Sequence, residues 1–168
     1  MGPRRLVLAP ARQAGPANPV APSDSTGTGA NRRPVSRAAI ISYARRLLGT
    51  PYRHQGRQPG CGLDCIGLVV VVARHFGLSD HDVHDYPRLP EGDRLLGEAR
   101  RAGFIPVGRA RPGDVICLRT ARDPQHLAIV TDIGMLHACA RRERVIEHRI
   151  DATWRERIVA AFRFPGVD

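Results

Sequence analysis

The chain has 168 residues, 42% of them hydrophobic, and a formal net charge of +10 at pH 7, which suits one domain that can close a core and leaves little room for a second. All 26 basic residues are Arg; such a surface suits an anionic polymer, but no aromatic-rich basic strand argues for nucleic acid, and no apolar run approaches the ~20 residues of a membrane span. Four cysteines in a chain this long do not form a disulfide scaffold, so reduced thiols are expected.

Residues 1–35 are expected to form a disordered or partner-ordered arm, and residues 36–168 the folded domain. The arm is rich in Ala, Pro, Gly, Ser and Thr, with almost nothing to bury after Leu8, and cannot repay its ordering entropy. Leu6-Val7-Leu8-Ala9 stops at Pro10, too short for the apolar core of a secretory signal. From Ser36, a plausible N-cap, Ile40, Ile41, Ala44, Leu47 and Leu48 recur at helical spacing, and Gly49 ends the helix. Tyr52-Arg53-His54-Gln55-Gly56 then reads as an exposed polar loop.

That loop leads to Asp64-Cys65-Ile66-Gly67-Leu68 and the run Val69-Val70-Val71-Val72-Ala73, closed by Gly77. β-branched residues favour strands, but the run is long for a strand, and a helix is expected with Asp64 as N-cap and Cys65 as its first residue. Orphan N–H groups and the helix dipole there favour a thiolate. The Cys65 pKa is therefore expected to fall from about 8.5 toward roughly 3.5–7.5.

The stretch with His81, His84 and Tyr86 reads as a solvated loop, and 93–102 as a short amphipathic helix closed by Gly103. From Phe104 the texture becomes β: strands are expected at 115–119, 126–131, 135–138, 145–150 and 159–164, with Trp154 as a lid over one end of the sheet. Helices first and an antiparallel meander afterwards is the α+β pattern. The expected architecture is a sheet of about five strands with the cysteine helix packed on it.

His126 and His137 lie 11 positions apart across the tight turn at Asp132-Ile133-Gly134. Adjacent antiparallel strands can bring them together, and both could face the helix carrying Cys65. A cysteine at a helix start, a histidine to take its proton and a second polar residue to orient that histidine is the logic of an activated thiol.

Five ordered blocks carry a resemblance. They are Thr50-Pro51-Tyr52-Arg53-His54-Gln55-Gly56, Asp64 to Leu68, Pro112-Gly113-Asp114-Val115, His126-Leu127-Ala128-Ile129-Val130 and Leu136-His137-Ala138. Over residues 38–166 the chain resembles the NlpC-type cell-wall cysteine peptidases. The closing Trp154-Arg155-Glu156-Arg157-Ile158 and Ala161-Phe162-Arg163-Phe164-Pro165 look like the branch found in phage tails and phage-like gene transfer agents.

The resemblance implies a papain-like α+β core, no cofactor, and hydrolysis of peptidoglycan stem peptides, typically at the γ-D-glutamyl to diamino-acid bond. It implies Cys65 as nucleophile, His126 as general base and later acid, and His137 as the residue orienting His126. Tyr52 would line the site near the sulfur, and Asp64 matches the position that helps hold a free amino end of the stem peptide. Phage-like tail or baseplate proteins would be the partners, and a tail particle acting in the cell-wall compartment the location. Two positions depart from the family pattern: Ile66 follows the cysteine where many relatives have Ser, and Gln55-Gly56 replaces Gly-Gly. Three rivals stand beside this reading: an amidase or acyl transferase on the same pair, a non-catalytic tail-hub protein, and a zinc site from Cys61, Cys65, His126 and His137.

Overall fold

The computed structural model describes residues 34–88, 92–120 and 123–168. The expected arm lies outside the described residues up to position 33; at its end Val35 bridges to Val167. The first helix, α1 (Arg37–Arg45), starts where the sequence places it. Ser36 Oγ accepts from Ala39 N at 3.2 Å, satisfying one orphan donor, and Ile40, Ile41 and Ala44 are buried. Gly49, at φ 80°, turns the chain out and donates to Val145 O at 3.0 Å.

Two short strands, β1 (Arg57–Gln58) and β2 (Gly62–Leu63), form a small hairpin that delivers the chain to α2 (Cys65–His75). The valine run is helical because α2 is buried along most of its length, Leu68, Val69, Val70, Val72 and Ala73 all being inside, so packing overrides β propensity. Gly67 lies inside this helix because a Cβ there would overlap the Gly56 carbonyl oxygen. The helix α3 (Arg94–Arg101) buries Leu95, half-buries Leu96 and Ala99, and ends before Gly103 at φ 83°.

The strands are β3 (Ile105–Pro106), β4 (Val115–Arg119), β5 (Pro124–Val130), β6 (Met135–Cys139), β7 (Arg144–His148) and β8 (Ile158–Arg163), with a short helix α4 (Ala152–Glu156) before the last. Among the described residues they form one antiparallel sheet in the order β3-β8-β4-β5-β6-β7. The five expected strands are present, and the two-residue β3 adds a sixth on the edge of β8. The fifth differs from a simple meander, because β8 returns to pair with β4. The α+β fold class is as expected.

Alternation divides the sheet. Val115, Cys117, Leu127, Ile129, Leu136 and Ala138 face the helices, in one cluster with Ile40, Leu68 and Val72. Ile116, Leu118, Ala128, Val130 and Met135 form a second cluster on the far face, covered by Ile150, Trp154 and Ile158. Among the described residues no helix is long and apolar enough to cross a membrane.

Candidate active site

Cys65 is held by its neighbour. Asp64 is 2% exposed, and its Oδ1 accepts from Gly67 N at 2.8 Å, capping α2 as expected. Its Oδ2 accepts from Gln55 N at 2.7 Å and from the Tyr86 hydroxyl at 2.6 Å, while Arg57 Nη1 donates to Oδ1 at 3.2 Å. Arg57 in turn donates through Nε to Asp82 Oδ1 at 2.9 Å and through Nη2 to Val83 O at 2.9 Å. A substrate amine reaching for Asp64 would have to displace one of these partners.

The loops on either side of this carboxylate differ from the solvated stretches expected. Tyr52, His54 and Gln55 are half-buried, and Gln55 sits at φ 59°, the left-handed region that the usual glycine would occupy more easily. His54 packs edge-on against Tyr86, and its Nε2 meets Tyr86 O at 3.1 Å. Tyr86 is 6% exposed, so the 79–86 loop is drawn inward by the Asp64–Arg57 pair rather than left in water.

The sulfur lies at an opening in the sheet. The β5–β6 ladder pairs Val130 with Met135 and Ile129 with Leu136, then parts before reaching His126. Leu127 thereby has a backbone N–H free of β6, and that N–H is directed to the Cys65 thiol. The N–H groups of Ile66 and Cys65 also favour the thiolate, as expected of a helix start. Burial outweighs them: desolvation, with the Asp64 charge added, pushes the thiol up to about 12. The expected low pKa is corrected by the structure, because the helix start is inside the protein and next to an anion. Tyr52 lies beside the pair, its hydroxyl pKa raised first by burial and then by the charges of Cys65 and Asp64.

His126 and His137 do meet, as a diagonal pair. The register sets Ile129 against Leu136, so His126 and His137 are two positions off direct opposition and on the same face. Their Nε2 and Nδ1 atoms are 2.6 Å apart. That face is the far one, with Ala128 and Met135, so the expectation that both histidines point at the cysteine helix is corrected. Leu127 and Ile129 take the helix side, and period-2 alternation sends the histidines the other way. The Cys65 thiol meets the same strand at the N–H of Leu127, the residue after His126. Burial pushes His126 down to about 4 and His137, 1% exposed, down to about 3. At neutral pH the site therefore holds a thiol and neutral imidazoles.

A third histidine, His148, for which the sequence gives no motif, joins them. It lies 11 residues beyond His137, the same interval that separates His126 and His137, and its Nε2 is 3.0 Å from His137 Nε2. Its Nδ1 is 2.8 Å from Arg149 O. Trp154, positioned by the Asp151 cap of α4, lies 5.6 Å from the His137 ring and 5.5 Å from that of His148. The expected lid thus covers the histidines in particular. The repeated interval was the available signal for His148, together with its place two positions from His137's cross-strand partner Ile146. Tyr86, Arg57 and Asp82 left no comparable trace in the sequence.

The site contains a proton acceptor, a thiol and backbone donors, the parts needed for attack on a carbonyl. Among the described residues no group of three or more His, Cys, Asp or Glu side chains has metal-holding geometry. Cys61 is exposed and Cys117 buried, and both are free thiols, as are Cys65 and Cys139.

A family model described as the NlpC/P60 family matches residues 49–163. Among solved structures, the NlpC/p60 domain of the peptidoglycan hydrolase SagA is similar at 26% identity and TM-score 0.55, covering 77% of this chain and 100% of that one. An NlpC/P60 family protein from Bacillus cereus is 20% identical with TM-score 0.60 over 79% of this chain and 41% of its own. The P60 domain of an antigen from M. avium subspecies paratuberculosis is 22% identical with TM-score 0.52, covering 77% of this chain and 94% of its own. Among curated protein sequences none matches. The latter two likenesses speak for the fold.

Proposed function

We propose, since the chain belongs to the NlpC/P60 family, that it is a cysteine peptidase of peptidoglycan that cleaves stem peptides at the γ-D-glutamyl to diamino-acid bond. The observation that carries this reading is the thiol of Cys65, at the start of α2, meeting the backbone beside His126, with His137 2.6 Å behind that imidazole. The similarity to a domain of a peptidoglycan hydrolase supports the substrate class.

In this mechanism His126 takes the thiol proton as the sulfur attacks the scissile carbonyl. Proton transfer and attack go together, because burial disfavours a separated thiolate and imidazolium in the resting enzyme. The oxyanion forms near the N–H of Cys65, at the positive end of α2. His126 then protonates the leaving amine, and water releases the acyl group from Cys65. His137 holds the His126 ring, and Tyr52 lines the approach to the sulfur. The protein acts as part of a phage-like tail, brought to the cell wall with tail or baseplate proteins; the closing blocks 154–158 and 161–165 support that assignment.

Digestion of purified peptidoglycan and defined stem peptides by the wild type and Cys65→Ala in parallel, read by mass spectrometry, tests the reading. Cleavage between D-glutamate and the diamino acid, lost in the variant, is expected. Cleavage at another bond would reassign the specificity. No cleavage by either folded protein would leave a structural component of the tail.

A further inference from the structure

The hydrogen-bond directions across the three histidines follow from one atom, the carbonyl oxygen of Arg149. A carbonyl only accepts, so His148 Nδ1, 2.8 Å away, carries a proton. A neutral imidazole has one N–H, which leaves His148 Nε2 as an acceptor facing His137 Nε2 at 3.0 Å. His137 Nε2 is then the donor and its Nδ1 the acceptor. At 2.6 Å that Nδ1 receives the proton of His126 Nε2. The remaining nitrogen, His126 Nδ1, carries the lone pair.

We propose that His148 is a positioning residue which, anchored by the Arg149 carbonyl, sets the tautomer of His137 and through it keeps His126 Nδ1 unprotonated and ready to accept the thiol proton. This rests on the reading of His126 as the base. Each link has the same origin in the fold: the three rings lie on successive antiparallel strands β5, β6 and β7, on one face, each offset from the next by the same diagonal step. Trp154 closes the far end over His137 and His148, where water would offer His137 an acceptor of no fixed direction. Gly134 lets the chain approach closely enough for this, since a Cβ there would overlap the backbone of His148 and Arg149.

With His148 absent as an acceptor, the buried His137 would keep an unsatisfied Nε2 proton or move it to Nδ1. The second choice places an N–H against His126 Nε2 and drives the His126 proton to Nδ1, where it blocks the base. His148→Phe preserves a ring beside Trp154 but removes the acceptor. His148→Gln returns a carbonyl oxygen near the position of Nε2.

Nitrogen chemical shifts of the imidazoles in full-length resting protein, without substrate, read the tautomers directly. The wild type and His148→Gln are expected to hold His126 with a protonated Nε2, and His148→Phe to lose that state. With stem peptide, His148→Phe is expected to lower kcat at least about 100-fold with KM within about twofold, and His148→Gln to recover most of the loss. A wild-type His126 protonated at Nδ1, or a folded His148→Phe with unchanged tautomer and kcat, would overturn the proposal. Correct tautomers in a wild type that cleaves no stem peptide would uphold the relay and remove the peptidase reading instead.

Discussion

The two halves of the site are held by opposite kinds of chemistry. The cysteine side is ionic: a buried Asp64 takes hydrogen bonds from Gly67, Gln55, Tyr86 and Arg57, and Arg57 is steadied by Asp82. The histidine side holds no carboxylate in its chain; three imidazoles, a backbone carbonyl and an indole follow one another. The ionic half ties a two-residue hairpin and the helix start to the irregular stretch at Asp82 and Tyr86, where strong local bonds must replace a long ladder. The neutral half stands on strands whose register already sets the ring positions, so hydrogen bonds have only to set direction. The Asp64 network therefore bears mainly on stability, and the imidazole chain mainly on where its protons sit.

Paired substitutions break that contrast most directly. His126→Ala is expected to lower kcat by at least about 1,000-fold on stem peptides, while stability falls by only about 1–2 kcal/mol, the loss of one neutral hydrogen bond to His137. Asp64→Ala should do the reverse in magnitude. It removes a helix cap and takes an acceptor from the buried Tyr86 hydroxyl and from Arg57, which keeps Asp82, a loss of about 2–4 kcal/mol by urea denaturation. Equal stability losses in the two variants would erase the distinction.

Gly67→Ala sharpens it at the junction of loop and helix. The added methyl would gain about 1 kcal/mol in helix propensity, yet it would run into the Gly56 backbone carbonyl. Because backbone cannot rotate away as a side chain can, a net loss of about 1–3 kcal/mol is expected by the same measurement.

Acid acts on the neutral half. The unfolded chain protonates its histidines near pH ~6.5, whereas the folded protein holds His126 and His137 neutral down to about 4 and about 3. The unfolded state thus binds more protons in that window, and their contribution to stability is present above pH ~6.5 and lost as pH falls toward the folded values. Denaturant midpoints measured from pH 7 to 4.5 should decline, with a shallower slope in His137→Phe. The smallest effect concerns resting reactivity. With the Cys65 thiol pushed up to about 12, its alkylation by iodoacetamide should keep rising through pH 9. A plateau near neutrality would point to a preformed thiolate.

Much of this was legible because it is local. Ser36 and Asp64 announced their helices by a side chain that caps an N–H three residues on, and Cys65 followed from its place after Asp64. His126 and His137 could be paired because one short turn joins their strands. The face they occupy is not legible in the same way, since it depends on which neighbours, Leu127 and Ile129 or Ala128 and Val130, meet the helices. The inward turn of the stretch holding Asp82 and Tyr86, which its composition marks as a solvated loop, depends on equally distant neighbours. Asp64 meets Tyr86 22 positions away and Arg57 7 away, and Arg57 meets Asp82 25 away, and no periodicity records such a meeting.

By itself, then, the sequence determined the elements, the α+β order and the candidates Cys65, His126 and His137, because caps, turns and motif blocks act over a few residues. Tertiary structure decided what those groups are chemically. Burial made Cys65 a thiol and kept His126 and His137 neutral, the end of the β5–β6 ladder left the Leu127 N–H for the sulfur, and three strands in register turned histidines 11 residues apart into a directed chain ending on the Arg149 carbonyl. Desolvation and hydrogen-bond direction depend on what surrounds a group in space, and most of those surroundings come from distant parts of the chain.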